Sequence, residues 1–302
     1  MLTVLVVASC DIGGRTGGRV LTPEQARLER IGTIDSTTLC TVVNPDSIEG
    51  WEQIETLSAE AWMLIDDSTG FVISQRYANE PRFMASLTKM MTCLLALENG
   101  NMADTVTITP ELYICRDSRV RPGQAYLLGN LLYEMMLQSD NDAAYAIASH
   151  IAGDTLRFCD MMNEKAAYLG MATTHFSNPN GMPAPDNYST ASDLMRLARY
   201  AMRDSTFASI VATRDRKVPL VDGRHMDCLN TNALLSSYQG CIGIKTGFTR
   251  QAGNCLASAA TRNGTTLYLV LLNSRSMRSR FTESAILLDY GFRVMQEYSQ
   301  QD

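Results

Sequence analysis

From Phe83 to Gly100 the chain reads FMASLTKMMTCLLALENG, and this run limits the fold more than any other stretch. Met90, Met91, Leu94, Leu95 and Leu97 follow closely enough to make a helix that is apolar on nearly every side, and such a helix must run through a core. Asn99-Gly100 supplies its C-terminal stop. Ser86 and Lys89 stand at its beginning, three residues apart and on one face, so the amine lies within reach of the hydroxyl. A lysine at the mouth of an apolar core loses solvation, which lowers its pKa and suits it to accept a proton from serine. Free N–H groups at the helix start favour negative charge developing beside Ser86. Taken alone, Ser-x-x-Lys arises roughly once by chance in a chain of this length. It needs company before it counts as nucleophile and base.

Around that helix the periodicity passes from strand to helix and back. Ala61 to Ile65 and Phe71 to Gln75 read as two strands about the turn Asp66 to Gly70. Helices follow at Leu127 to Leu137, Asp142 to Ile151 and Thr155 to Leu169, then one capped by Thr190 with Asp193 and running to about Met202. Ser139-Asp140-Asn141 forms a short polar loop, and Asn178 to Asn187 is irregular. From Gly240 the strands return: Ile242 to Thr246, Asn254 to Thr261, the Asn263-Gly264 hairpin, and Thr265 to Leu272. An amphipathic helix from about Arg280 to Tyr298 ends the pattern. Strands at both ends imply an α+β fold whose antiparallel sheet is closed by the two ends of the chain. The expected sheet lobe is 59–82 with 240–300, and the helical lobe is 83–239.

Composition narrows the function. Of 302 residues 45% are hydrophobic and 19% charged, as in a folded enzyme of one or two domains. The net charge of −6 and the absence of a basic run exclude nucleic acid as an expected partner. Lys89, Lys165, Lys217 and Lys245 are the only lysines among 26 basic residues, so arginine serves wherever a bare charge is enough. A proton acceptor has to be lysine, because arginine does not deprotonate. The eight cysteines lack C-x-x-C spacing and read as single thiols, and His150, His175 and His225 are scattered without ligand spacing. No metal and no cofactor is expected.

At the N-terminus, MLTVLVVAS is apolar and leads through small residues to Cys10, which resembles the lipobox of bacterial lipoproteins. That resemblance implies lipidation of Cys10 and membrane attachment through it alone, in the cell envelope. Residues 11–58 are polar and weakly periodic and read as a tether.

Ser86-Leu87-Thr88-Lys89, Ser139-Asp140-Asn141 and Lys245-Thr246-Gly247 occur in that order, the set found in class A β-lactamases and penicillin-binding proteins. Each falls in a fitting place: a helix start, an interhelix loop, a strand edge. Segments such as SDNDAA, NYSTASDLMRLA and GIKTGFTRQAGNCLASAATRNG resemble the serine-type D-alanyl-D-alanine carboxypeptidases, the low-molecular-mass penicillin-binding proteins, over about Ala61 to Tyr298. The resemblance implies a sheet of about five strands against a helical lobe, with the site between them. It implies Ser86 as the acylated nucleophile, Lys89 as its base and Ser139 as proton relay to the departing D-alanine. Asn141 would hold the substrate peptide, Lys245 and Thr246 its terminal carboxylate, and the Gly247 to Thr249 strand edge its backbone. The N–H groups of Ser86 and Phe248 would form the oxyanion hole. The implied partners are the peptidoglycan stem peptide, as substrate, and β-lactam antibiotics, as inhibitors.

The chain departs from that family at Phe248 and Asn187, where histidine is frequent, and at Asp140, where carboxypeptidases often have glycine. A class A β-lactamase is the rival enzyme, but it needs a glutamate on a loop after Ser-Asp-Asn. Between Asn141 and Lys245 the only glutamate is Glu164, inside an expected helix. A non-catalytic wall-docking or penicillin-binding protein is the rival of a different class.

Overall fold

The computed structural model describes residues 49–115 and 118–299; Cys10 and most of the expected tether lie outside them. Strands β1 (Ala61–Asp66) and β2 (Val72–Arg76) come from the N-terminal side of the described chain, and β7 (Cys241–Thr249), β8 (Gly253–Arg262) and β9 (Thr265–Ser274) from the C-terminal side. They pair antiparallel in the order β2-β1-β9-β8-β7, so both chain ends close one sheet, as expected. Strand β7, which carries Lys245-Thr246-Gly247, is therefore an edge strand.

Both faces of the sheet are covered. On β1, Met63 and Ile65 face the helical lobe, while Trp62 and Leu64 face the opposite cluster with Leu267, Leu269 and Leu271. That is why AWMLID is apolar without alternation. The opposite face is closed by α1 (Trp51–Glu55) and the long C-terminal helix α9 (Met277–Ser299). Ile54 and Leu57 are buried there, so packing begins several residues before the expected end of the tether at Ser58.

The helical lobe holds α2 (Lys89–Asn99), α3 (Leu128–Gln138), α4 (Asn141–Ala152), α5 (Thr155–Tyr168), α6 (Ala191–Ala201) and α7 (Ser205–Ala212), with a single turn α8 (Leu234–Ser237) leading back to the sheet. Every residue of α2 from Lys89 to Ala96 is buried, the consequence of its all-round apolarity. Two small hairpins lay outside the sequence reading. Strands β3 (Thr105–Thr107) and β4 (Ala125–Leu127) form one, β5 (Asp215–Pro219) and β6 (His225–Leu229) the other.

Candidate active site

Ser86 does not open the α-helix itself. It lies in a 3-10 turn, Ala85–Thr88, that feeds directly into α2. In a 3-10 turn residues i and i+3 eclipse one another, and the Lys89 Nζ donates to Ser86 Oγ at 3.0 Å. Ala85, just before the nucleophile, has φ +48°, an unfavourable region for a residue with a Cβ. The turn is held in place from behind: Thr88 Oγ1 donates to the Ala85 carbonyl at 2.9 Å, and Gly181 presses close enough that an added Cβ would sit 1.9 Å from that same carbonyl oxygen.

Lys89 is wholly buried. Its amine donates also to Asn141 Oδ1 at 2.8 Å and to the Asn180 carbonyl at 2.7 Å. Three acceptors in tetrahedral reach hold the nitrogen in place. Burial lowers its pKa to about 7, against opposing pulls from Asp140 and Cys115. At neutral pH much of the amine is free to accept a proton.

Ser139 and Asn141 come from the corner between α3 and α4. Ser139 takes φ +61° as the C-cap of one helix, and Asp140 caps the start of the next. The Asp140 carboxylate accepts from Ala143 N at 3.0 Å, Ser118 Oγ at 2.6 Å, Arg119 N at 2.5 Å and Val120 N at 3.2 Å. Four donors occupy it, so it fastens the corner to the 118–120 segment and is not free for acid–base work.

Strand β7 approaches from the sheet side. At Gly247 an added Cβ would lie 3.1 Å from Ser86 N, from Met84 O and from Ala85 Cβ. Only a glycine lets the strand edge lie flat against the nucleophile turn, which brings β7 up against Ser86. Thr246 Oγ1 is 2.6 Å from Thr231 Oγ1, and Lys245 is buried with its amine on the Thr246 carbonyl at 3.1 Å. Burial first, then the neighbouring Lys89 and Arg280, hold the Lys245 amine well below the ordinary lysine value. Arg280 of α9 is itself buried and donates to the carbonyls of Gly247 and Cys255 at 3.0 and 3.3 Å. A serine hydroxyl within hydrogen-bond reach of a buried amine of lowered pKa, with a second buried amine and the Arg280 guanidinium beside an open strand edge, is an arrangement chemically able to support acyl transfer.

Residues 49–276 match the family described as D-alanyl-D-alanine carboxypeptidase, three quarters of the chain. The chain belongs to this family. A D-alanyl-D-alanine carboxypeptidase of Streptomyces K15 is 35% identical over 285 residues, covering 87% of this chain and 94% of that protein. One from Escherichia coli is 31% identical over 80% of this chain, which spans 63% of that longer relative. The crystal structure of the Streptomyces K15 DD-transpeptidase superposes with a TM-score of 0.75 at 35% identity, over 78% of this chain and 98% of that one. The chain is thus a serine-type carboxypeptidase.

Around Ser86 the carboxypeptidase fold gathers Lys89 and the Gly247 edge, with Asn141 joined through the Lys89 amine, Lys245, Thr246 and Phe248 on the same strand as Gly247, and Ser139 at the adjoining corner. Two contributors escaped the sequence reading. Asn180 acts through a backbone carbonyl, which leaves no mark on residue type; the only signal was the turn-forming Asn-Pro-Asn-Gly. Arg280 sits in the last helix, where an arginine on an amphipathic pattern looks like a surface charge. Glu164, the glutamate a β-lactamase reading would require, is exposed on α5. Among the described residues no helix is long and apolar enough to cross a membrane.

Proposed function

We propose that Ser86 removes the terminal D-alanine from peptidoglycan stem peptides through an acyl-enzyme. The observation that carries the assignment is the buried Lys89 amine, with a pKa lowered to about 7, at 3.0 Å from Ser86 Oγ. Lys89 Nζ takes the hydroxyl proton as Ser86 Oγ bonds to the carbonyl carbon of the penultimate D-alanine. The resulting oxyanion accepts from the N–H groups of Ser86 and Phe248. As the C–N bond breaks, the proton passes from Lys89 through Ser139 to the leaving amine, and D-alanine departs. Water then attacks the ester with Lys89 again as base, which frees Ser86 and the shortened peptide. Asn141, with its Oδ1 on Lys89, presents its amide to the substrate backbone, and the outer edge of β7 pairs with that backbone as an added strand. Lys245 and Thr246 hold the terminal carboxylate. That carboxylate supplies the countercharge that a dry amine beside Arg280 lacks, so its arrival favours protonation of Lys245.

Penicillins enter the same site and acylate Ser86. The substrate belongs to the bacterial cell envelope, and Cys10, as a lipid-bearing first residue, would attach the enzyme to a membrane there. The test is direct. Wild type should release D-alanine from a peptide ending in D-alanyl-D-alanine and take up labelled penicillin on Ser86, whereas Ser86→Ala should do neither while remaining folded. A peptide amidated at its C-terminus should react tenfold to a thousandfold more slowly, about 1.4 to 4 kcal/mol of lost transition-state binding. Penicillin bound covalently by Ser86→Ala, or rapid penicillin hydrolysis with no D-alanine release, would overturn the assignment.

A further inference from the structure

The middle of α3 carries a carboxylate that the chemistry at Ser86 does not use. Glu134 interrupts an apolar run, with Leu131, Leu132 and Tyr133 before it and Met135, Met136 and Leu137 after it, and it is wholly buried. A buried carboxylate is costly unless donors meet it. The Cys228 thiol of β6 donates to its Oε2. Its Oε1 accepts no hydrogen bond among the described residues and faces Arg119 Nε at 4.0 Å, an ion pair without a hydrogen bond. Burial pushes the Glu134 carboxyl above its ordinary value, while the Cys228 hydrogen bond and the Arg119 charge pull it back. Tyr126 of β4 and Asp140 also feel its charge.

Arg119 connects this ion pair to the site. Its backbone N–H donates to Asp140 Oδ2, and its Nη2 donates to the Asp227 carbonyl of β6 at 2.8 Å. On either side of it, Ser118 Oγ and Val120 N donate to the same Asp140 carboxylate. One residue thus joins α3 and the hairpin of β5 and β6 to the cap of α4, and that cap stands between Ser139 and Asn141. Glu134 lies on the helix that ends at Ser139, so the ring is closed: Glu134 to Arg119, Arg119 to Asp140, and Asp140 back along the chain to α3.

The Arg119 side chain is 39% exposed. Without an anion beneath it, the guanidinium is drawn out to water, as the head of any long charged side chain is where nothing pairs with it. The 118–120 segment would follow, and with it the donors that hold Asp140. Ser139, at φ +61°, keeps its backbone in that region only while its surroundings constrain it. We propose that Glu134 is a positioning residue for the reaction at Ser86: its carboxylate anchors the Arg119 guanidinium, the anchored segment fixes Asp140, and Asp140 keeps Ser139 in line for the proton and Asn141 on the Lys89 amine.

This inference rests on the carboxypeptidase reading, and the test separates the two. Glu134→Gln keeps the volume and an acceptor for Cys228 but drops the charge; Arg119→Gln removes the cation, and Arg119→Lys keeps it. D-alanine release is measured at pH 8, above the Lys89 value of about 7, and titration to completion with labelled penicillin counts the sites, so that every kcat is per intact site. Glu134→Gln and Arg119→Gln should each lower kcat about tenfold or more, the scale of a displacement under about 1 Å, with KM within about threefold of wild type because Lys245 and Thr246 stand on β7. The double variant should lose no more than about twofold beyond the worse single variant, since both changes break one contact. Arg119→Lys should recover part of what Arg119→Gln loses. Wild-type kcat per site in Glu134→Gln, losses that multiply in the double variant, or Arg119→Lys no better than Arg119→Gln would each overturn the role. A merely structural glutamate would lower the number of titrated sites and leave kcat per site alone. If Glu134→Gln yields no titratable sites, the Arg119 variants, changed at a partly exposed side chain, decide by the same two measures, kcat per site and recovery by lysine. Wild type that neither takes up penicillin nor releases D-alanine would strike the catalytic reading, and this role with it.

Discussion

Because Lys89 must be neutral to accept the Ser86 proton, acylation should follow the titration of one buried amine. A pKa of about 7 leaves about 1% of the amine neutral at pH 5 and about 90% at pH 8. The acylation rate constant at saturating penicillin should therefore climb nearly a hundredfold between these values and level off above pH 8, with a slope of one decade per unit on the acid side. The sign is fixed by the cause. Desolvation disfavours the ammonium, so the working form gains as pH rises, whereas an unshifted lysine would keep the rate climbing past pH 10. Lys245 acts in the opposite sense, since it clamps the carboxylate as a cation; its titration belongs in the concentration of penicillin needed for saturation, which should rise as pH rises. Stopped-flow acylation by a chromogenic or fluorescent β-lactam over pH 5 to 9 separates the two quantities. A saturating rate constant that is flat across this range, or that grows towards acid, would refute Lys89 as the base. Lys89→Arg gives an independent check: a permanent cation in the same place should lower acylation by several orders of magnitude.

Three further outcomes follow from the contacts. Lys245→Arg keeps a cation at the carboxylate, so it should retain measurable D-alanine release with KM raised more than kcat lowered; loss as deep as that of Lys89→Arg would remove the distinction between clamp and base. Gly247→Ala places a methyl group 3.1 Å from Ser86 N and Met84 O, which must push the strand edge off the nucleophile turn; kcat/KM should drop about tenfold to a thousandfold, as for a damaged oxyanion hole, while the loss of stability stays near 1–3 kcal/mol. Asp140→Asn removes a charge that raises the Lys89 pKa, so the acid limb of the acylation profile should move to lower pH; a shift upward, or none, would show that Asp140 does not act on Lys89 electrostatically.

Much of the site was legible because its chemistry lies in residue types at fixed local spacing. Ser86 and Lys89 are neighbours on one turn wherever that turn packs, and the edge position of Lys245-Thr246-Gly247 follows once both chain ends are seen to share a sheet. The 3-10 turn was not legible. Its tightness comes from Gly181, nearly a hundred residues away, pressed on the Ala85 carbonyl, and no local propensity reports that. The hairpin of β5 and β6 was missed for a related reason: β5 exposes every position but Val218, and β6 turns only Met226 and Cys228 inward over five residues, too short a run to mark a strand by sequence alone. Asp140 departs from the glycine frequent in carboxypeptidases, and its carboxylate is taken up by four donors that tie a loop to a helix.

The arrangement also accounts for why so large a core surrounds so few reacting atoms. A lowering of the Lys89 pKa from 10.5 to about 7 means that holding the amine dry costs up to about 5 kcal/mol at or below neutral pH relative to water, a penalty that recedes as pH rises towards 10. Ala85 and Ser139, both at positive φ, add about 1–3 kcal/mol each. These terms together rival the net stability of an ordinary domain. They persist because each strained group is fixed from several sides: α2 is buried along its first eight residues, Asn141 and Asn180 take the Lys89 protons, and Asp140 ties the Ser139 corner down with four hydrogen bonds. Relieving the strain would let the amine reach water and the nucleophile turn relax into an ordinary helix start. Lys89 would then regain the pKa of a surface lysine, and Ser86 would lose the base that makes it a nucleophile.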